Sequence, residues 1–401
     1  MIKKALIVLF IFALVYAAYF ASRSLDFYKS IYKNSNGSTN TPVVKTEYNF
    51  LLLGYGGPPH DGPYLTDSMM VAHVDLVKNT IALISLPRDL WIKLPTKSGT
   101  DFHSKINSLY QMGMYESTNF PDVNVGKVGT ADLVKSGVKT ITGLTIDNII
   151  TVDFSGFEKA VDALGGVDVK VLKTFDDYEY PIDGKEQELC GTDAQFAQIE
   201  KFLKPGYDQS EMDKLFADHP DLKDYFQNIT DAPEKAFPCR YEHLHFDAGM
   251  VHMDGATALK YVRSRHSMQD GTDFGRAARQ QQFVLALKER ILNVGMLAKV
   301  FPLMDELKAH ISTDISIDEI KRFITEAKDA AKYRIINIRM SDADYLVASY
   351  SDYGGYILIP RTGQDNWKQI QTMIHNGILE IKLTPTPTPK LPTKQVTPQT
   401  K

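Results

Sequence analysis

The sequence predicts an α/β fold in which a central mixed β-sheet is flanked by helices as an α-β-α sandwich, preceded by an N-terminal transmembrane helix. Apolar runs typical of buried strands alternate with segments of helical spacing, which is the pattern of a sheet covered on both faces. The N-terminus contains a long uncharged apolar run. The 401 residues are 43% hydrophobic and 23% charged, as in globular proteins of one large domain or two modest ones.

The N-terminal run extends from Ala5 to Ala21 and follows two lysines. As a helix it spans roughly 25 Å, about the thickness of a bilayer core. The lysines are expected to stay in the cytoplasm, which places the remainder of the chain outside the cell membrane. A cleaved signal peptide is the alternative, because small residues follow the run. We favour an uncleaved single-pass anchor over residues 1–22, followed by a stalk over 23–46.

The first part of the predicted sheet follows this stalk. Tyr48–Gly54 is a continuous apolar run of the kind found in buried strands. The next predicted elements, in chain order, are strands over Met69–Val74 and Thr80–Leu86, a helix over Ala131–Thr142, a strand over Asn148–Val152, a helix over Phe154–Leu164 and a strand over Val167–Val171.

The segment 174–245 interrupts this alternation and is predicted to be an insertion. It is acidic and aromatic, with helix-like pieces at Asp193–Leu203 and Gln209–Phe216. It also contains both cysteines, Cys190 and Cys239. An oxidising exterior permits the two thiols to pair, and two free thiols are the alternative.

Regular periodicity resumes after the insertion and continues almost to the C-terminus. The predicted elements are a periodic segment over Ala256–Val262, helices over Arg276–Leu292 and Ile317–Lys332, strands over Arg334–Met340 and Gly355–Pro360, and a closing helix over Trp367–Gly377. Residues 383–401 are rich in proline and threonine and are predicted to be a disordered tail.

Four arginines fall within 17 residues after the insertion: Arg263, Arg265, Arg276 and Arg279. If Ala258–Arg265 is a strand, its period of two directs Arg263 and Arg265 to one face. Guanidinium groups bind phosphate oxygens bidentately, so several of them converging on one point indicate a polyanion such as pyrophosphate.

The alternative for this cluster is a solvated face or ordinary ion pairs, with Asp270 and Asp273 close enough in sequence to be the partners. The net charge of −4 argues against a general basic surface and therefore against a nucleic-acid partner. A local group of arginines in a slightly acidic protein favours a binding site.

A second segment, which begins at Gly54, carries complementary chemistry. Its glycines do not match the dinucleotide-binding pattern, since prolines stand where a helix would begin. The loop does offer Asp61 and Asp67, and Arg88 ends another predicted strand. Carboxylates beside arginines suggest a hard divalent cation that bridges to phosphate. Capping of a turn or of a strand end is the alternative role for both aspartates.

These segments resemble the LytR-CpsA-Psr family, membrane-anchored enzymes that attach glycopolymers to the bacterial cell wall. The likeness runs in order from about residue 48 to 295, outside the insertion. It implies a catalytic domain over 47–310 and a C-terminal α/β extension over 311–382. The matching motifs are Leu51–Gly54, Thr66–Met70, Ser85–Asp89, Lys105–Asn107, Val152–Phe157, Asp162–Val167, His252–Gly255, Tyr261–Arg265 and Asp273–Gln280.

The resemblance implies phosphotransfer from a polyprenyl-pyrophosphate-linked glycan to peptidoglycan at the membrane, with Mg²⁺ or Mn²⁺. An apolar groove between sheet and helices would hold the polyprenyl tail. Asp67 would bind the metal, and Asp273 would orient arginines. The residues expected to hold the pyrophosphate or line the site are Arg88, Lys105, Arg263, Arg265, Arg276, Arg279 and Gln280.

The sequence departs from the family pattern at two positions. The family commonly has an acidic residue after the first strand's glycine, where this chain has Tyr55 and two further glycines. It also commonly has arginine two residues before the metal-binding aspartate, where this chain has Leu65. Asp61 or His60 is our candidate for the missing metal ligand. There are two alternative functions. The protein would be a lipid-pyrophosphate phosphohydrolase in the first and a non-catalytic, wall-associated regulatory protein in the second.

Overall fold

The computed structural model describes residues 21–33, 45–60, 62–115, 120–124, 126, 129–204, 206–293, 307–326, 330–341 and 343–380. The predicted anchor, apart from its last two residues, lies outside these ranges, as do Asp61, the tail and part of the stalk. Residues 21–31 are helical. Within the described ranges, no helix is both long and apolar enough to cross a bilayer.

The described residues form short to medium strands, and these include every strand predicted from the sequence apart from the one over Ala258–Arg265. They are β1 (Glu47–Tyr55), β2 (Thr66–Asp75), β3 (Thr80–Ser85), β4 (Trp91–Leu94), β5 (Phe102–Lys105), β6 (Asn148–Asp153), β7 (Val167–Val171), β8 (Phe175–Pro181), β9 (Tyr241–Phe246), β10 (Gly249–Met253), β11 (Ile311–Thr313), β12 (Arg334–Arg339), β13 (Leu346–Tyr350) and β14 (Tyr356–Pro360).

The helices include every one predicted, although the one predicted over Ile317–Lys332 ends at Glu326 and a 3₁₀ turn follows at Ala330–Lys332. They are α1 (Leu109–Met114), α2 (Thr130–Thr142), α3 (Phe154–Ala163), α4 (Asp193–Ile199), α5 (Gln209–Asp218), α6 (Pro220–Asp231), α7 (Pro233–Ala236), α8 (Gly255–Arg263), α9 (Asp273–Asn293), α10 (Ile317–Glu326) and α11 (Lys368–Ile378).

The central sheet is mixed and has the strand order β11–β6–β1–β2–β3–β12. β12 runs parallel to β3, whereas β2 is antiparallel to β3 and β11 is antiparallel to β6. Together with the helices that flank the sheet, this confirms the predicted mixed α/β class. Smaller two-stranded sheets, β7 with β10 and β8 with β9 among them, complete the fold.

The described residues fall into two compact units. One comprises those in 1–34, 53–68 and 150–331, and the other those in 35–52, 69–149 and 332–401. β1, β2 and β6 each contribute residues to both.

The second unit contains β3, which is almost wholly buried, in agreement with its apolar sequence. The tight turn before β3 follows from the chemistry of Asp75. Its carboxylate accepts hydrogen bonds from the backbone N–H of Val77 at 2.9 Å and of Lys78 at 2.8 Å. Asn79 then adopts a positive φ of 52°, a conformation that asparagine tolerates well.

The first unit contains an apolar cluster supplied by α3, β7, β8, β9, β10, α8 and α9. Burial of this aliphatic and aromatic surface is the main source of its stability. Its buried members are Val161, Val167, Val169, Val171, Phe175, Tyr180, Leu244, Phe246, Met253, Ala258, Leu259, Tyr261, Val262 and Phe283.

The segment predicted to be an insertion begins and ends in paired strands, because β8 and β9 run antiparallel to each other. Between them, α4, the 3₁₀ turn Glu200–Leu203, α5 and α6 supply a separate small core centred on Ile199, Phe202 and Leu222. Cys190 and Cys239 form a disulfide bond, with an S–S distance of 2.05 Å. The structure thereby decides between the two alternatives that the sequence left open for the cysteines.

Candidate functional site

The segment that carries the first arginine is a helix, so the strand interpretation of Ala258–Arg265 is wrong. Asp254 begins α8 as its N-cap, since its carboxylate accepts a hydrogen bond from the N–H of Thr257 at 2.8 Å. Ala258, Leu259 and Val262 are buried at helical spacing. Arg263 is therefore the last residue of a helix, and it does not share a strand face with Arg265.

Two side chains of α9 hold the C-terminal end of α8. Arg279 donates from Nε to the carbonyl of Tyr261 at 3.2 Å and from Nη2 to the carbonyl of Ser264. Gln280 Nε2 donates to the carbonyl of Val262 at 3.3 Å. The last carbonyls of a helix lack intrahelical partners, and a cation there is favourable.

Arg279 is only 4% exposed, and its third nitrogen, Nη1, donates to Asp270 at 2.5 Å. Its guanidinium carbon also lies 4.7 Å from the centre of the Phe175 ring. All three guanidinium nitrogens thus have protein acceptors, which makes Arg279 a residue that positions the connection between α8 and α9. Binding of the substrate by Arg279 stays a prediction.

Close backbone approaches fix the connection from α8 to α9. A Cβ atom at Gly275 would lie 1.7 Å from the carbonyl oxygen of Asp270, so any side chain there is excluded. On the other side, buried Asp177 of β8 accepts hydrogen bonds from Ser264 Oγ at 2.6 Å and from the N–H of His266 at 3.2 Å. The connection between α8 and α9 is therefore held on one side by the start of α9 and on the other by β8.

Arg263 contacts two aromatic rings and one carboxylate. Its guanidinium carbon is 4.2 Å from the centre of the Phe154 ring and 5.6 Å from that of Tyr180. Its two terminal nitrogens donate to the two carboxylate oxygens of Asp183 at 3.2 and 3.3 Å. Asp183 Oδ1 also lies 3.5 Å from His60 Nδ1 of the glycine-rich loop.

The pKa of Arg263 reflects two opposing effects. Burial by itself lowers this pKa, because it disfavours the charged form. Tyr180, Asp183 and Asp67 act in the opposite direction, so the pKa of Arg263 is raised above its usual value. Asp67 is the smallest of these contributions to the pKa of Arg263, and the shared site of the two residues stays a prediction.

Asp67 lies at the start of β2, where the neighbouring hydroxyl of Ser68 donates to Gln280 Oε1 at 3.1 Å. This contact brings the sequence-predicted Asp67–Ser68 motif to the helix that carries Arg276. The preceding loop turns at Gly57, whose φ is +75° and where a Cβ would lie 3.1 Å from that of Asp153. Glycine is required there by both conformation and space.

The remaining predicted residues of this unit have nearby partners. Arg276 is 6% exposed, and its Nη2 lies 3.0 Å from Asp273 Oδ1, one turn earlier on α9. Arg265 Nε donates to His266 Nε2 at 3.1 Å. The contact of Asp273 with Arg276 is of the kind expected of a residue that orients an arginine.

Arg88 and Lys105 belong to the other unit, where they flank the buried carboxylate of Asp89. Lys105 Nζ donates to Asp89 Oδ1 at 2.5 Å, and Arg88 Nε lies 3.5 Å from Asp89 Oδ2. Asp89 therefore lies next to both predicted phosphate-binding cations, and their role in binding stays a prediction.

The chemistry of the first unit fits a hard divalent ion at Asp67. Among the residues that the structure describes, Asp67 is not part of a ready-made cluster of three or more metal-ligating side chains. Magnesium does not require such a cluster, because it typically uses one or two carboxylates together with substrate phosphates and water. Asp67 stays the predicted metal ligand, and Asp61, the second candidate, lies outside the described residues.

Asp183, Tyr180, Phe154 and Asp177 were missed by sequence reasoning. Asp183 and Tyr180 lie in the segment that was set aside as an insertion, and no local pattern connects them with Arg263. Phe154 does fall in a motif that the sequence analysis singled out, directly after the helix cap Asp153.

The comparison with known families identifies the family of the chain. The model of the LytR_cpsA_psr family matches residues 14–368, which is most of the chain. The chain belongs to the LytR_cpsA_psr family. The predicted family is thereby confirmed.

Named members of the family are similar over most of this chain. It is 24% identical over 298 residues to the polyisoprenyl-teichoic acid–peptidoglycan teichoic acid transferase TagV of Bacillus subtilis, covering 73% of this chain and 56% of that protein. It is 23% identical over 282 residues to the corresponding transferase TagU of Oceanobacillus iheyensis, covering 70% and 63%. The matches thus span less than two thirds of either relative.

A solved structure shares the fold. The crystal structure of protein gbs0355 from Streptococcus agalactiae has a TM-score of 0.52 and 18% identity, and the match covers 85% of this chain and 90% of that one.

Proposed function

We propose that this member of the LytR_cpsA_psr family is a membrane-anchored, extracytoplasmic phosphotransferase. It moves a glycopolymer from a polyprenyl-pyrophosphate carrier onto peptidoglycan or a similar wall acceptor. The names of TagV and TagU support this substrate class. The observation that carries the proposal is the position of Arg263, which lies near the rings of Phe154 and Tyr180 and whose terminal nitrogens donate to Asp183.

The chemistry follows from the charges. Arg263, Arg265 and Arg276 bind the phosphoryl oxygens, and their charges stabilise the transition state as negative charge shifts toward the leaving group. A wall hydroxyl attacks the phosphorus that bears the glycan, and the new P–O bond forms. The bond to the bridging oxygen breaks, and polyprenyl phosphate leaves.

Two carboxylates are available for the proton of the attacking hydroxyl, Asp67 and Asp61. A Mg²⁺ or Mn²⁺ ion, held by Asp67, would supply additional positive charge beside the phosphates. Gln280 contributes by its contact with Ser68, which keeps α9 next to the start of β2. Arg88 and Lys105 are also predicted to bind phosphate in this reaction.

The test uses the purified full chain in detergent, with a polyprenyl-pyrophosphate-linked glycan, peptidoglycan and magnesium. Covalent attachment of glycan to peptidoglycan is the expected product. Phosphorylated glycan released into solution would indicate the phosphohydrolase instead. Binding of the lipid without either product would indicate the regulatory protein.

Arg263→Ala is expected to lower the rate of transfer by about 30- to 1000-fold, equivalent to roughly 2–4 kcal/mol of transition-state stabilisation. Arg240→Ala is the matched control. Arg240 also stacks on a ring, 3.7 Å from the centre of Phe237, and donates from Nε to the carbonyl of Glu188 at 2.6 Å. Equal loss of activity in both variants would contradict a specific role for Arg263.

A further inference from the structure

A cluster of metal-ligating side chains lies on the two-stranded ribbon of β8 and β9. Asp176 on β8 is directly opposite His245 on β9. His243 projects to the same face as His245, because side chains alternate along a strand. One ligand atom from each of the three residues lies within 4.8 Å of the other two. The phosphotransfer reaction proposed above does not use these side chains.

Both imidazole rings face the same carboxylate oxygen. Asp176 Oδ1 lies 2.7 Å from His245 Nδ1 and 2.9 Å from His243 Nε2. Tetrahedral zinc, with ligand bonds of about 2.0–2.1 Å, separates neighbouring ligand atoms by about 3.3 Å. Small rotations of these three partly exposed side chains would therefore admit an ion.

Neighbouring side chains orient the two rings. His245 Nε2 faces Asp247 Oδ1 at 3.3 Å. A histidine that binds metal through one nitrogen commonly donates its other N–H to such a carboxylate. The ring of His243 stacks on Tyr178, with centres 4.0 Å apart and planes inclined by 3°. The ligands thus stand on paired strands and have supporting contacts, as a preorganised metal site requires.

We propose that Asp176, His243 and His245 form a binding site for zinc or a similar first-row divalent ion, with water completing the coordination shell. Two imidazole nitrogens and one carboxylate suit borderline ions of this kind, whereas magnesium and calcium prefer oxygen ligands alone. The site is distinct in chemistry from the carboxylate and arginine groups around Asp67.

The position of Asp176 connects this site with the arginine-bearing segment. Its carbonyl accepts a hydrogen bond from the N–H of Met268 at 3.0 Å, and its own N–H donates to Gln269 Oε1 at 2.9 Å. Both partners belong to the connection between α8 and α9. A bound ion would therefore restrain the segment that follows Arg263 and Arg265.

The test is calorimetric titration of the tag-free full chain with zinc chloride at near-neutral pH, with magnesium chloride in parallel. The wild type is expected to bind one zinc ion at this site. His243→Ala and His245→Ala should each weaken that binding by at least about 10-fold, and Asp247→Asn should have a smaller effect. Cobalt(II) in place of zinc gives a visible absorption spectrum that reports the same ligands without any assay of transfer.

His252→Ala is the matched control. His252 is exposed on β10 and its Nδ1 lies 2.8 Å from Asp168 Oδ1, which reproduces a single histidine–aspartate pair of the cluster. Zinc binding should be unchanged in this variant. The proposal would be overturned if the wild type failed to bind zinc, or if folded His243→Ala and His245→Ala bound it as tightly as His252→Ala does.

Discussion

At the scale of single residues, the proposed function depends most on Arg263, whose guanidinium group contacts two aromatic rings and a carboxylate. The guanidinium group lies near the rings of Phe154 and Tyr180, and Asp183 pairs with both of its terminal nitrogens. The side chain of Asp183 is 49% exposed, so in the proposed reaction it would be able to move aside for a phosphate group. The carboxylate thus neutralises Arg263 in the ligand-free protein.

Removal of that carboxylate charge should strengthen the binding of anions. We expect Asp183→Asn to bind geranyl pyrophosphate about 5-fold more tightly without added divalent ions, because about 1 kcal/mol of charge repulsion is lost. The difference in affinity between Asp183→Asn and the wild type should become smaller at high salt, because salt screens the charges. Asp168→Asn, which removes an exposed carboxylate paired with a histidine, is the control in a fluorescence or calorimetric titration. Weaker binding by Asp183→Asn would show that Asp183 helps to assemble the site.

Substitution of Arg279 is expected to reduce mainly the stability of the protein, whereas substitution of Arg263 is expected to reduce mainly its activity. Arg279→Ala leaves three acceptors without their donor and should reduce the free energy of unfolding by roughly 2–4 kcal/mol. Arg263→Ala removes a less buried group and should cost about 1 kcal/mol or less while it still abolishes most transfer. Urea denaturation followed by circular dichroism measures both. Equal unfolding midpoints for the two variants would contradict the positioning role of Arg279.

At the scale of elements, β8 serves two purposes because its side chains alternate. Buried Asp177 holds the connection between α8 and α9, whereas Asp176 on the opposite face belongs to the proposed zinc site. The strand belongs to the segment that sequence periodicity set aside as an insertion. It is nonetheless an integral part of the core, through Phe175 and Tyr180.

The disulfide is expected to stabilise the helices α4 to α7 more than the rest of the fold. Cys190 and Cys239 are 49 residues apart, and a loop of this length corresponds to roughly 4 kcal/mol of lost chain entropy in the unfolded state. The double variant Cys190→Ser, Cys239→Ser should therefore be cleaved faster by trypsin within this segment. Addition of a reductant to the wild type should have the same effect on cleavage. Unchanged cleavage in both experiments would contradict the prediction.

The N-cap of α8 offers a second test at this scale. Asp254→Ala should lower the free energy of unfolding by about 1 kcal/mol, because the cap bond to Thr257 is lost. Hydrogen bonds from the side chain and backbone of Thr257 lower the pKa of Asp254. The cap therefore stabilises fully above the unfolded pKa of about 3.9 and is lost as the pH falls through the lower folded value. Thermal unfolding of the wild type and of Asp254→Ala at several pH values is the measurement. The difference between their unfolding temperatures should become smaller in acid.

At the scale of the whole molecule, the apolar N-terminal run should decide where the protein resides. We expect the full chain to sediment with liposomes and a variant that begins at Ser22 to stay in the supernatant, because about 17 apolar residues suffice to enter a bilayer core. Circular dichroism of the shortened variant provides the control for folding. Equal sedimentation of both proteins would argue that other residues bind the membrane.

Much of this molecule could be predicted from local sequence. The apolar runs predicted strands of the central sheet, and ordered motifs predicted the family. Short strands such as β4 and β11 were missed because a few residues do not establish a period. The segment that ends at Arg263 was misinterpreted as a strand, although Asp254 and the burial of Ala258 and Val262 are typical of a helix.

The sequence by itself determined the family, the mixed sheet and the presence of an arginine-rich segment, because these depend on local periodicity and motif order. Only the tertiary structure decided which side chains meet. Asp183 reaches Arg263 across 80 residues of chain, and Asp176 reaches His245 across 69. Such contacts depend on the pairing of β8 with β9 and on burial in a shared core. No local pattern specifies them, since each chain segment alone is compatible with many partners.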